Sequence, residues 1–196
     1  MIMKRYLLAI TGASGSIFGV QLLKELLKHA EVHLIISTNT FPIIQDETGR
    51  DWATDTEKVI RKELSTSKLF FYKDSYMEAP IASGSFKTDG MLVVPCSMKT
   101  LSGIANGYAN NLIERAADVV LKEGRLLLLS PREMPFSALH LENMLKLARL
   151  GVTIAPPVPA FYHHPKTVDD MVNFIVGKLL DRVGIEHKLF RRWGEQ

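Results

Sequence analysis

Apolar residues are arranged along this chain in two alternating patterns. Short continuous runs occupy 6–11, 32–37, 91–95 and 126–130, with a weaker fifth at 152–155. Consecutive apolar positions over so few residues suit strands covered on both faces. Between the runs the apolar positions recur at helical spacing. Ile17, Val20, Leu23 and Leu27 form a stripe on 16–29, and Leu112, Ala116, Val119 and Val120 form one on 110–123. Leu139, Met144, Leu145 and Ala148 do the same on 137–150, as do Met171, Ile175, Leu179 and Leu180 on 168–183. The alternation predicts an α/β fold: a doubly wound, mainly parallel sheet with helices on both faces, a Rossmann-like or flavodoxin-like three-layer sandwich. Residues 1–196 are read as one domain. The polar stretch 46–67 predicts a solvent-facing helix near 55–64. Residues 78–85, with Pro80 and Gly84, read as a loop of the kind that gates a site.

Composition narrows the function classes. With 196 residues, 46% hydrophobic and 23% charged, the chain has enough apolar material for one well-packed core. A formal net charge of +3 without a basic stripe argues against nucleic acid and suits a small anionic ligand. Cys96 is the sole cysteine, so an intramolecular disulfide and a cysteine zinc site are excluded. The start of the chain resembles a signal peptide, but its apolar core is about half the usual length and reads as the first strand. No apolar run approaches the roughly 20 residues that span a bilayer. The expected location is the cytoplasm.

In an open α/β sheet, ligands bind beyond the carboxyl ends of the strands, so residues following each run are the candidates for chemistry. Thr11-Gly12-Ala13-Ser14-Gly15 leaves the first strand and opens a helix, which offers backbone N–H groups to a phosphate. Gly12, Gly15 and Gly19 do not match the G-x-G-x-x-G dinucleotide fingerprint. The second strand ends in Ser37-Thr38-Asn39 and lacks the ribose-binding acid. Tyr162 and Lys166 imitate a dehydrogenase pair, but Pro165 between them opposes a continuous helix. A mononucleotide such as FMN fits better, with Ser37 near its polar chain.

Ser97, Met98, Lys99 and Thr100 form a second polar cradle after the third run, in which Cys96 reads as a small buried hydrophobe. Arg115 and Lys122 stand seven apart on one helix face. Set beside Arg132 they make a candidate phosphate clamp. Arg132 and Glu133 follow the fourth run directly. The Pro-rich loop 156–165 can wall an apolar pocket, with the Tyr162 hydroxyl available to an anion. His163 and His164 lack a partner at i, i+4 spacing, so a structural role is expected and no metal site. Trp193, in the tail, needs a surface to pack against.

Together Thr11-Gly12-Ala13-Ser14-Gly15, Pro95-Cys96-Ser97-Met98-Lys99-Thr100, Asn110-Asn111-Leu112-Ile113-Glu114-Arg115, Pro131-Arg132-Glu133-Met134-Pro135-Phe136, His140-Leu141-Glu142-Asn143-Met144 and Phe161-Tyr162-His163-His164-Pro165 resemble the UbiX-type flavin prenyltransferases, once described as aromatic acid decarboxylases. The resemblance covers nearly the whole chain. It implies that dimethylallyl monophosphate alkylates reduced FMN at N5 and then C6, without a metal, giving prenylated FMN for a UbiD-type decarboxylase. It places FMN on Gly12, Ala13, Ser14, Ser37, Ser97, Met98, Lys99, Thr100 and Arg132. It places the isoprenyl phosphate among Arg115, Lys122, Arg132, Tyr162 and Lys178, with Trp193 also at the substrate. Glu133, with Ser14, is implied to handle the proton released on ring closure, and Glu47 is a second candidate.

Two positions depart from the pattern: Lys178 replaces an arginine of some relatives, and Met98-Lys99 replaces smaller residues. The family assembles as dodecamers with pockets completed by neighbours. Two other readings compete. One is an FMN-dependent cysteine decarboxylase, whose Pro-x-Met-Asn-x-x-Met signature 95–100 does not supply. The other is a passive FMN carrier.

Overall fold

The structure, a computed structural model, describes residues 3–194. Six strands, β1 (Lys4–Ile10), β2 (Ala30–Ile36), β3 (Leu69–Lys73), β4 (Gly90–Cys96), β5 (Leu126–Pro131) and β6 (Thr153–Ile154), form one sheet in the order β3-β2-β1-β4-β5-β6. Every pairing is parallel. The helices are α1 (Ser16–His29), α2 (Phe41–Thr48), α3 (Thr56–Glu63), α4 (Met98–Ala105), α5 (Leu112–Lys122), α6 (Ala138–Arg149) and α7 (Val168–Arg182).

The strands are apolar throughout because both faces are covered. Leu8, Ile10, Leu34, Ile36 and Val94 point to one core, shared with Leu22, Leu23 and Leu26 of α1 and Val176 and Leu180 of α7. Leu7, Ala9, Ile35, Val93 and Leu129 point to the other, against Leu101 of α4, Ala116 and Val120 of α5 and Leu147 of α6. Each such leucine, fully buried, contributes about 1.5–3 kcal/mol relative to remaining exposed.

The predicted helix over 16–29 coincides with α1, and the other predicted helices agree within two residues at each end. The sequence pattern misses three elements. β3 is an edge strand whose apolar run is only Leu69-Phe70-Phe71-Tyr72, with Phe70 and Lys73 exposed, too short and too lightly buried to stand out. α2 buries only Ile44, which leaves no stripe to detect. α4 carries Ser102 and Gly103 in its interior and reads as loop. The 46–67 stretch is also not simply solvent-facing, because Trp52 is 1% exposed and its indole N–H donates to Glu63 at 2.9 Å.

The strand order reverses direction between β1 and β4, so a crevice opens at their carboxyl ends. Gly19 sets how closely α1 approaches that crevice. A Cβ there would overlap the Val94 carbonyl oxygen and lie 3.0 Å from Ile10 Cγ1.

Candidate functional site

Hydrogen bonds stitch the loops along the carboxyl edge into one cradle. The Thr11 hydroxyl donates to the Pro95 carbonyl at 2.9 Å and accepts from the Ser97 amide at 2.8 Å, joining the loops after β1 and β4. The Ser37 amide donates to Ile10 O at 3.0 Å, and the Arg132 amide to Cys96 O at 3.1 Å. Asp74, just after β3, accepts from the Thr38 amide and hydroxyl at 3.0 and 2.9 Å and so fixes the turn beside Ser37. Gly12, Ser37, Ser97 and Arg132 are thereby held on successive loops. Thr11 and Asp74 are positioning residues that sequence reasoning overlooked; a lone hydroxyl ending an apolar run was the only signal for Thr11.

The sequence reading offered the N-terminus of α1 to a phosphate. The structure fills it with Glu47. Its carboxylate accepts from the Gly15 amide at 2.9 and 3.0 Å, the Ser16 amide at 2.7 Å and the Ser16 hydroxyl at 2.7 Å. Burial raises its pKa, but hydrogen bonds from the Ser16 and Ser14 hydroxyls and the two amides outweigh that and hold it below the ordinary range. Gly15, at φ 94, has the left-handed backbone this start requires. The Ser14 side chain also lowers the Glu47 pKa, which sets it on the Glu47 side of the loop. Glu133 is exposed and accepts from the amide of Met134 at 3.0 Å. Arg132 reaches Ser14 instead, its Nε donating to the Ser14 carbonyl at 3.1 Å.

The geometry suits a mononucleotide. A Cβ at Gly12 would meet nothing within 4 Å, so the loop presents bare backbone to open space. The amides of Gly12, Ser14, Met98 and Lys99 donate to no acceptor among the described residues, and they flank the crevice from both sides. Ser97 caps α4 by accepting from the Thr100 amide, and its hydroxyl donates to Thr100 Oγ1 at 3.1 Å. These donors, with Ser37 and the η nitrogens of Arg132, match the oxygen-rich phosphate and ribityl chain of FMN. Cys96 is buried and its thiol pKa is pushed up by burial, as a packing residue requires.

The remaining cations do not join this cradle within one chain. Arg115 donates to Ala82 O at 3.1 Å and pairs with Asp118 at 2.7 Å, while Lys122 pairs with Glu123 at 3.1 Å. Both line a cavity of about 590 Å³ with the 82–85 loop. Lys122 closes α5 at the amino end of β5, whereas Arg132 follows its carboxyl end. A strand of that length separates them by about 20 Å. Lys122 and Arg132 of one chain therefore do not meet.

Tyr162 and Lys178 lie on the α7 side. The Tyr162 ring packs edge-on against Phe174 at 5.7 Å and Trp193 at 5.2 Å, and Trp193 remains 80% exposed. Lys178 stands one turn beyond Phe174, exposed, 3.9 Å from Asp181. His163 stacks on Phe174 at 4.8 Å. Among the described residues no group of three or more His, Cys, Asp or Glu is arranged to hold a metal ion, and no helix is long and apolar enough to cross a membrane.

The Flavoprotein family model matches residues 2–180. Flavin prenyltransferase UbiX of Methanocaldococcus jannaschii is 50% identical over 190 residues, covering 97% of this chain and 98% of that protein. A dodecameric FMN-dependent UbiX-like decarboxylase from Escherichia coli O157:H7 superposes with a TM-score of 0.87 at 48% identity, over 96% of this chain and 98% of that one. AnUbiX, solved with FMN and dimethylallyl pyrophosphate, gives 0.89 at 39% identity over 99% of both chains. Solved decarboxylases, among them the peptidyl-cysteine decarboxylase EpiD, share 16 to 21% identity, a likeness of fold alone. A flavin-type crevice at the β1–β4 reversal and relatives identical at half their positions agree, and the chain belongs to the Flavoprotein family, within its UbiX flavin prenyltransferases.

Proposed function

We propose that this protein is a flavin prenyltransferase, joining the dimethylallyl group of dimethylallyl monophosphate to N5 and C6 of reduced FMN. The observation that carries the reading is the cradle at the β1–β4 crevice, where Arg132 is tied to the same loop that Glu47 orders. Reduced FMN supplies the nucleophilic ring atoms. Gly12, Ala13, Ser14, Ser37, Ser97, Met98, Lys99, Thr100 and Arg132 hold it. Arg132 also faces the departing phosphate, whose growing negative charge is stabilised by cations fixed in advance. Tyr162, Lys178 and Trp193 line the prenyl side.

Lys122, at the opposite end of β5 from Arg132, serves the pocket of a neighbouring copy, together with Arg115 of the same cavity. A dodecamer like that of the E. coli relative supplies such neighbours. The product then passes to a UbiD-type decarboxylase in the cytoplasm. Anaerobic incubation with reduced FMN and dimethylallyl monophosphate is expected to give flavin heavier by one C5H8 unit in the mass spectrum. Unchanged flavin mass with folded protein would overturn the prenyltransferase reading.

Glu133 is the proton acceptor in this scheme. It has one described donor and is open to the pocket mouth, whereas the Glu47 carboxylate is occupied by the Gly15 and Ser16 donors. Glu133→Gln is expected to keep FMN affinity and reduce turnover roughly 10²-fold. Stopped-flow turnover beside an FMN titration checks this, and lost FMN binding would make Glu133 structural.

A further inference from the structure

The segment after α7 folds back along that helix and is fastened to it at one carboxylate. Asp181 accepts from Arg192 through both η nitrogens, at 3.1 and 2.7 Å, and from His187 Nε2 at 3.1 Å. The Leu189 amide donates to His187 Nδ1 at 3.2 Å, so the ring proton sits on Nε2, where it serves Asp181. The His187 side chain is only 3% exposed. A Cβ at Gly177, one turn before Asp181, would lie 2.5 Å from Phe190 and 2.6 Å from His187, so a glycine is needed for the segment to lie flat. From that contact an aromatic chain runs outward. Phe190 meets Phe174 at 4.9 Å, Phe174 meets Tyr162, and Tyr162 meets Trp193. The segment that Asp181 fastens therefore also carries Trp193 to Tyr162.

We propose that residues 185–193 are a strap anchored by Asp181, and that Asp181 is a positioning residue holding Tyr162 and Trp193 in place for the prenyl phosphate. The assignment rests on the prenyltransferase reading above. Asp181 touches neither the flavin cradle nor the Arg132 loop in any described contact, so its influence is confined to the prenyl side. The same carboxylate stands 3.9 Å from Lys178. By charge alone, removing it would strengthen the binding of an anion there. The strap predicts the opposite sign.

The test is Asp181→Asn in the full-length protein. Hydrogen exchange by mass spectrometry is expected to show the Leu189 amide, which donates to His187 Nδ1, losing protection. KM for dimethylallyl monophosphate is expected to rise roughly tenfold, with saturated turnover and FMN affinity kept. Arg192→Gln, which cuts the same bond from the strap side, should raise exchange and KM alike, and Arg192→Lys should fall between it and wild type. Should Asp181→Asn fail to fold, the Arg192 pair decides. Unchanged exchange, or a KM that stays level or falls, would overturn the assignment. Absence of prenylated flavin from the wild type would instead refute the enzymatic reading, leaving the exchange data to judge the strap.

Discussion

Gly19→Ala is expected to cost about 3–5 kcal/mol of stability, enough to lower the apparent unfolding midpoint by roughly 10 °C. A single methyl group ordinarily matters little on a helix, and alanine is the better helix former by up to about 1 kcal/mol. Here the added carbon falls on a backbone carbonyl, that of Val94, with Ile10 on its other side. A side chain can rotate away, but the β4 backbone is pinned on both sides of this carbonyl, by ladder pairing through Val93 and by the Thr11 amide and hydroxyl on Pro95 O. Relief requires α1 to lift from the sheet, which opens the packing of Leu22, Leu23 and Leu26. The same lift displaces Gly15 and Ser14 at the start of α1, so FMN affinity should fall along with stability. Thermal unfolding and flavin titration of the variant check both. An unchanged midpoint would mean that α1 has slack at this contact.

Gly19 also shows where the sequence was legible and where it misled. Gly12, Gly15 and Gly19 fail the dinucleotide spacing, and that failure rightly turned the reading toward a mononucleotide. Yet the last of them does the job of a fingerprint glycine, close helix–strand packing, at a different offset. Periodicity found the central strands and the long helices because burial on both faces writes itself into consecutive positions. It failed where burial is slight, at edge strand β3 and at α2.

That second failure had a consequence for the site. With α2 unseen, nothing in the sequence connects Glu47 to the start of α1, and it stands only as a second candidate beside Glu133. The helix is what delivers Glu47 to the Gly15 and Ser16 amides. Arg115 and Lys122 illustrate a different limit. Their seven-residue spacing correctly placed them on one face, and they do share one cavity. Spacing along a helix says nothing about which end of the sheet that helix end meets, and only the topology separates Lys122 from Arg132.

Glu47→Gln tests the arrangement that the sequence left unresolved, and it should weaken folding, flavin binding and turnover together. The carboxylate accepts from two amides at 2.7 to 3.0 Å and from the Ser16 hydroxyl. A glutamine replaces one acceptor oxygen with an NH2 group that faces donors, so a backbone N–H loses its partner, and the negative charge at the positive end of α1 is gone. The combined loss is about 2–3 kcal/mol. Ser14, next to the Gly15 amide that Glu47 holds, shifts with the loop that also bonds Arg132. Turnover should then fall by roughly 10²- to 10³-fold, more than for Glu133→Gln, and FMN affinity should fall with it.

Acid provides an independent check. The folded carboxyl of Glu47 is held below its unfolded value, so its contribution is complete above the unfolded pKa and drains away as pH falls through the folded one. Urea unfolding from neutral pH down to about 3 should therefore show the gap between wild type and variant narrowing below about pH 4. A gap that stays constant across that range would mean that shape, and not charge, is what Glu47 contributes. Full turnover in the variant would free Ser14 from any dependence on Glu47.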